Sequence, residues 1–199
     1  MSTLSLCIIA SASGAYIIWG YQTFSAYSKP GEGPSFASML LWSIIDTIMW
    51  WSTARAHNDQ TLIATYTILT VALTTILIAK KKYGWKPVDW FVAGIACICL
   101  VVSYLTSPIL AVTAGALSIS AAGIPNLIGI SKLEQKPTAL LYWTIVFFMT
   151  GPLLILINLR NSGAELKEYI YPSIAVMYWS IACCISLFKT MQFRRPVIS

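Results

Sequence analysis

The stretch GIPNLIGISK, Gly123 to Lys132, closes a long apolar run and sets a helix breaker beside an amide within it. Pro125 has no N–H to donate, so the carbonyl four residues earlier, on Ala121, loses its helical partner. Interrupted helices at bilayer depth are tolerated where they are buried in protein or line a cavity. The stretch therefore predicts a buried membrane helix with a hinge at Pro125, a static kink being the plainer alternative.

The rest of the chain is as apolar as this run. Of its 199 residues, 57% are hydrophobic and 10% charged, and the mean hydropathy is +0.73; these values exclude an ordinary soluble domain. A bilayer core takes roughly 20 apolar residues per helix. Seven such runs stand out, at about 4 to 24, 35 to 54, 61 to 79, 88 to 105, 108 to 130, 138 to 158 and 169 to 188. Uninterrupted runs favour helices over the alternating strands of a barrel. The predicted fold is all-α, one membrane domain spanning residues 1–199. No Lys or Arg precedes the first run, so it lacks the basic leader of a secretory signal and is expected to stay as a helix.

With seven spans the loops alternate between two sides. Lys29, Lys80, Lys81, Lys82, Lys86, Lys132, Lys136, Lys189, Arg194 and Arg195 fall on one side, against Arg55, Arg160 and Lys167 on the other. The positive-inside rule puts the first set in the cytoplasm, with the N-terminus outside and the C-terminus inside, in a plasma or bacterial inner membrane. Topology and anionic lipid account for the net charge of +6, so no nucleic-acid partner is implied. Cys7, Cys97, Cys99, Cys183 and Cys184 all lie within runs and read as packing residues. No metal site or cofactor is expected.

The opening stretch has an echo. YQTFSAYSKPGEGPSFASMLLWSII, from Tyr21, aligns with PNLIGISKLEQKPTALLYWTIV, from Pro125: an amide (Gln22, Asn126), Ser-Lys, a loop holding Glu and Pro, then Leu-Leu and a Trp (Trp42, Trp143). The third run ends TTILIAKKK and the seventh CCISLFKTM, so each half closes on a lysine, Lys80 or Lys189. Two halves of three spans, both starting outside, need a fourth helix between them, and VDWFVAGIACICLVVSYL from Val88 supplies it. The boundaries are then 1–82, 83–106 and 107–199, with Ser107 placed to cap the fifth helix and Pro108 at its first turn.

A 3+1+3 arrangement, N-out and C-in, with a proline-amide pair in the fifth helix resembles the SWEET and PQ-loop transporter superfamily. In that family a Pro-Gln pair marks the first helix of each half. Pro125-Asn126 matches with Asn for Gln, whereas Tyr21-Gln22 keeps the amide without the proline. The asparagines that often contact sugar in the third helix of each half are missing from the runs at Thr61 and Tyr169. The resemblance implies two three-helix bundles around a central pathway and transport by alternating access.

Asp46, in LLWSIIDTIMWW, is the one acidic residue of seven that lies deep in a run. An ionisable group there costs at least ~2.5 kcal/mol on insertion scales, so it should face the interior or water. Helical spacing puts Ser38, Trp42, Asp46, Trp50 and Thr53 on one face, a stripe suited to substrate contact or to coupling through protons. The alternative is a structural Asp bonded to a neighbouring helix. Gln22 and Asn126 could bond a ligand or each other's helices, the latter contributing only ~0.6 kcal/mol. Trp143, Tyr178 and Trp179 are candidate cavity residues, and Pro152 is a weaker hinge than Pro125. Trp19, Trp51, Trp85 and Trp90 read as interfacial belt residues. The threonines of the third run, Thr65, Thr67, Thr70, Thr74 and Thr75, surround the helix too evenly to mark one polar face.

Enzyme readings find little support. The single histidine, His57, lies in a short loop, and neither a phosphate-binding glycine loop nor an H-E-x-x-H motif is present. The expectation is therefore a non-enzymatic carrier in the bilayer that moves a small polar metabolite, sugar or amino-acid-like, with self-association left open. The rival is a receptor or sorting protein on the same fold, resembling the KDEL receptors. Such a receptor would want buried positive groups, and no Lys or Arg lies deep in a run.

Overall fold

The computed structural model describes residues 3–24, 32–55, 61–80, 84–105, 108–163 and 165–193, without the side chains of 48–55, 61–63, 65–66, 103–104, 108–109, 111–112, 162 and 167. The described chain is all-helical: α1 Thr3–Phe24, α2 Phe36–Arg55, α3 Thr61–Ala79, α4 Pro87–Leu105, α5 Pro108–Ala122, α6 Ile124–Ser131, α7 Ala139–Ser162 and α8 Leu166–Gln192. α5 and α6 are separated by Gly123 alone, so they form one interrupted rod and the described residues make seven rods. Four stretches, Thr3–Phe24, Thr113–Ser131, Ala139–Asn161 and Glu168–Gln192, are long and apolar enough to cross a bilayer. This is the construction of an integral membrane protein.

Local chemistry sets the helix ends. α4 opens with Pro87 at its first position, and the Asp89 carboxylate accepts the Lys86 N–H at 2.7 Å, satisfying a donor the helix leaves unpaired. α7 stops at Gly163, whose φ of 66° is left-handed and whose N–H closes on the Leu159 carbonyl, a conformation open to glycine and strained for other residues. α8 starts with a reciprocal box: the Glu165 side chain meets the backbone of Glu168, and the Glu168 carboxylate accepts the Glu165 N–H at 3.2 Å. These caps lie outside the apolar runs, which is why α7 and α8 extend beyond the hydrophobic limits at 158 and 169.

The rods pack in an orderly way. α3 lies against both α1 and α2, and α8 lies against both α5 and α7. Among the described residues α1 does not closely approach α2, nor α5 α7. α1 packs on α7, α2 on α5, and α4 chiefly on α5. Small residues let backbones come close: Ser11 donates to the Phe147 carbonyl across α1 and α7, and Ser118 to the Ala96 carbonyl at 3.0 Å across α5 and α4. The surface is apolar in turn, with Ile17, Ile68, Phe91, Ile98, Ile157 and Phe188 exposed, as lipid-facing side chains should be. The cysteines follow suit: Cys7, Cys97 and Cys184 are exposed and all five are unbridged.

Candidate functional site

The break at Gly123 shows where the freed backbone groups go. The Gly123 N–H turns to the Ser120 carbonyl at 3.0 Å, one residue short of the α-helical partner on Ile119. The Ile119 carbonyl instead accepts the indole N–H of Trp42 at 2.8 Å. The Gly123 carbonyl accepts the Tyr178 hydroxyl at 2.9 Å, and the Asn126 side-chain amide bonds the same phenol. The Asn126 backbone N–H reaches both the Gly123 carbonyl at 3.0 Å and Ser38 Oγ at 3.2 Å. The Trp42 side chain from α2 thus replaces the bond that the Ile119 carbonyl loses to the turn at Gly123, and Tyr178 from α8 adds a further bond to the Gly123 carbonyl.

Gly123 is required there for space. A Cβ on it would lie 2.5 Å from the Tyr178 ring and hydroxyl. The ring lies directly on the backbone of the break, and only glycine admits it.

On α2, Ser38 and Trp42 hold the break, and one turn further Asp46 lines a cavity. Thr70 Oγ1 donates to Asp46 Oδ2 at 3.3 Å, and Thr67 Oγ1 to the Asp46 carbonyl at 3.2 Å. Thr74 Oγ1 donates to the Met39 carbonyl at 3.1 Å. Thr67, Thr70 and Thr74 therefore do share one face, turned to α2, with Thr70 and Thr74 also bonding the Thr67 and Thr70 carbonyls of their own helix, while Thr75 is exposed. The even distribution read from sequence concealed this face, because which threonines point inward is decided by where α2 packs.

The cavity encloses about 330 Å³ between α1, α2, α5, α7 and α8. Its wall includes Tyr16, Trp42, Phe148, Tyr178 and Trp179, with Asp46 and Ser120 as polar groups. Beneath it the aromatics close on themselves. Trp42 stacks on Trp19 at 5.9 Å, Trp19 meets Phe148 at 4.7 Å, and Phe148 stacks on Trp179 at 4.5 Å. Trp179 meets Tyr178 edge-on at 5.0 Å, and Tyr178 returns to Trp42 at 6.4 Å. These offset and edge contacts are the favoured aromatic geometries, each contributing about 0.5–1.5 kcal/mol beyond burial.

On the other side of this ring, where α1 ends and α7 begins, the helices are tied together. The Glu32 carboxylate, 1% exposed, accepts the Thr138 N–H at 2.5 Å and the Thr138 hydroxyl at 2.6 Å. It therefore caps α7 from the loop before α2, a charge-assisted pairing at a helix N-terminus. Lys80 Nζ donates to the Thr23 carbonyl at 2.7 Å and lies over the Phe24 ring. Gln22 is 2% exposed, and neither atom of its amide has a hydrogen-bond partner among the described residues.

No family model matches this chain, and no curated protein matches it.

The sequence-derived residues are distributed as follows. Trp42, Asp46, Pro152, Tyr178 and Trp179 line the cavity; Ser38, Asn126 and Pro125 are buried at the helix break; Gln22 is buried at the end of α1. The Trp50 and Thr53 side chains lie outside the described part. Trp143 is 56% exposed and stands beside Phe147, away from the cavity. Trp42 lies seven residues beyond Ser35, the residue before α2, whereas Trp143 lies five beyond Thr138, the residue before α7. Two residues turn a helix through about 200°, so the two tryptophans face opposite ways. The position seven beyond Thr138 is Ile145, which is buried.

Trp19 corrects the belt reading: it is 1% exposed, at the middle of the aromatic ring. Its spacing from Tyr16 and Gln22, one turn to either side, carried the signal, since all three lie on the buried face of α1. Trp90, by contrast, is exposed and packs on Trp85 at 4.7 Å. Tyr16, Phe148 and Gly123 had no motif to single them out.

Proposed function

We propose that this chain is a carrier that moves a small solute across a membrane by alternating access, built from two three-helix bundles, α1–α3 and α5–α8, joined by α4. The packing order supports the repeat: α3 packs on both α1 and α2 as α8 packs on both α5 and α7, and the halves meet through the paired contacts of α1 with α7 and α2 with α5. The observation that carries the functional reading is the cavity of about 330 Å³ between the two halves, with the Asp46 carboxylate in its wall. Concave, largely apolar sites with few polar groups are where small molecules bind, and buried carboxylates at membrane depth mark solute or proton pathways.

The positive-inside rule orients this carrier with the start of α1 and the end of α7 outside. The cavity then lies toward the outer face, and the aromatic ring, the Ser38–Asn126 bond and the Glu32–Thr138 pair close the cytoplasmic side. To face inward, α5 and α6 bend about Gly123 and Pro125 while those ties part. The break has the right chemistry for a hinge, because the Ile119 carbonyl is held by a side chain of another helix in place of its own backbone, and Tyr178 adds a second hold on the Gly123 carbonyl. Asp46 supplies the point at which a proton couples to the solute.

Purified protein in liposomes, offered labelled sugars, amino acids and amines with and without an inward pH gradient, tests the reading. Saturable uptake of at least one solute is expected, and Asp46→Asn should reduce it at least tenfold with the fold intact. Uptake no greater than that of empty liposomes across the panel refutes the carrier.

A further inference from the structure

Resting on the cavity as the carrier's solute site, we propose that its ligand is a small organic cation: an amine or quaternary ammonium group on a compact apolar body. The wall presents six aromatic side chains, Tyr16, Trp42, Phe148, Tyr171, Tyr178 and Trp179, and one carboxylate, Asp46. No Lys, Arg or His is among the described residues of the wall. Aromatic faces carry the negative end of the ring quadrupole and attract cations, most strongly when water is excluded. When ionised, the single carboxylate beside them gives the site a negative charge that no described residue of the wall offsets.

The same inventory argues against other solutes. A sugar needs many directed hydrogen bonds, and two of the wall's six side-chain donors are already committed: the Trp42 indole N–H to the Ile119 carbonyl, and the Tyr178 hydroxyl to the Gly123 carbonyl. A polyol bound here would leave hydroxyls unpaired, which costs more than an absent contact. An anion or a zwitterion would bring a carboxylate or phosphate toward Asp46 with no described cation to receive it. An organic cation asks for what is present: one negative partner and extended aromatic faces. The volume of about 330 Å³ lies at the small end for ligand sites, which limits the apolar body to a compact one.

The carboxylate is placed to receive such a head group. Thr70 Oγ1 donates to Oδ2 at a long 3.3 Å, which orients the group without neutralising it. In the second half the position matching Asp46, eleven residues beyond the start of the helix cap, is Met149. The two halves therefore contribute one charge between them, so a monocation fits better than a dication.

The test is calorimetric binding to purified full-length protein of three probes: benzyltrimethylammonium, benzyl alcohol and glucose. The cation is expected to bind at least about tenfold tighter than benzyl alcohol, the ratio that a desolvated cation–π and charge contact supports. Asp46→Asn should weaken cation binding at least about tenfold, the aromatic faces keeping the remainder. Selectivity is read on the unaltered chain, so a variant that fails to fold does not spare the proposal. Equal binding of the alcohol, preference for glucose, binding of none of the three, or an unchanged cation affinity in folded Asp46→Asn overturns it. Liposome uptake separates the two readings: a cation that binds and never crosses sinks the carrier and leaves the cation site. Saturable glucose uptake without cation binding does the reverse.

Discussion

Gly123→Ala sets two physical effects of opposite sign against each other. Gly123 has φ −80° and ψ −14°, a right-handed conformation that alanine adopts freely. Helix propensity alone therefore predicts stabilisation, by about 0.8–1.0 kcal/mol. The tertiary structure predicts the opposite, because the new Cβ would stand 2.5 Å from the Tyr178 ring. Tyr178 cannot yield by a few tenths of an ångström, since its hydroxyl is tied to the Gly123 carbonyl at 2.9 Å and its ring is wedged against Trp42 and Trp179. Overpacking of this kind costs about 1–3 kcal/mol, and the lost hydrogen bond adds about 0.6 kcal/mol on the membrane scale. The net expectation is destabilisation of about 0.6–2.8 kcal/mol, read as a lower thermal midpoint of the detergent-purified protein. Truncating the ring with Tyr178→Ala should make the alanine at 123 harmless, so the double variant measures the coupling directly. A Gly123→Ala protein as stable as the parent, or more stable, refutes the placement of Tyr178 on the helix break.

Four further outcomes follow from the same geometry. Glu32→Ala removes both bonds to Thr138, and bonds to a charged group contribute about 1.5–3 kcal/mol; a cysteine at Ser38 should then react faster with a water-soluble maleimide, and unchanged labelling would show that Glu32 does not hold that side closed. Trp42→Phe keeps an aromatic face but strips the donor from the Ile119 carbonyl, so stability should fall by about 1 kcal/mol, whereas Trp143→Phe, on the exposed face, should be neutral in the same unfolding assay. Asp46→Asn should remove uptake while thermal unfolding stays within about 1 kcal/mol of the parent, because Thr70 can still donate to the amide oxygen; loss of both together would make Asp46 a structural residue. Cysteines at Gln135 and Asn161 should label from opposite sides of a sealed membrane, Gln135 from the cytoplasm, and labelling of both from one side overturns the topology.

Much of the helical framework was legible in the chain. The apolar runs correspond to the rods because a backbone in lipid must bond itself, and a helix is the local way to do so. The extension of α7 to Ser162 and of α8 back to Leu166 was not, since these turns are set by a left-handed glycine and a glutamate box rather than by hydrophobicity. Within the site, Ser38, Trp42 and Asp46 could be grouped because they repeat every four residues on one helix. Trp143 was paired with Trp42 by its neighbouring Leu-Leu, yet one helix start is offset from the other by two residues, which turns it outward. An aligned motif preserves identity, whereas a side chain's direction depends on its distance from the helix cap.

By itself, then, the sequence determined which segments are helices, that they belong in a bilayer, and that one interior carboxylate and one proline-amide break need explaining. These are consequences of composition and of the near-neighbour rules of the backbone. Only the tertiary structure decided that Trp19, Trp42, Phe148, Tyr178 and Trp179 close into a ring, and that Trp42 and Tyr178 hold the carbonyls around the break. Those contacts join residues far apart in the chain. Their existence depends on the order and rotation of the packed helices, which no local pattern records.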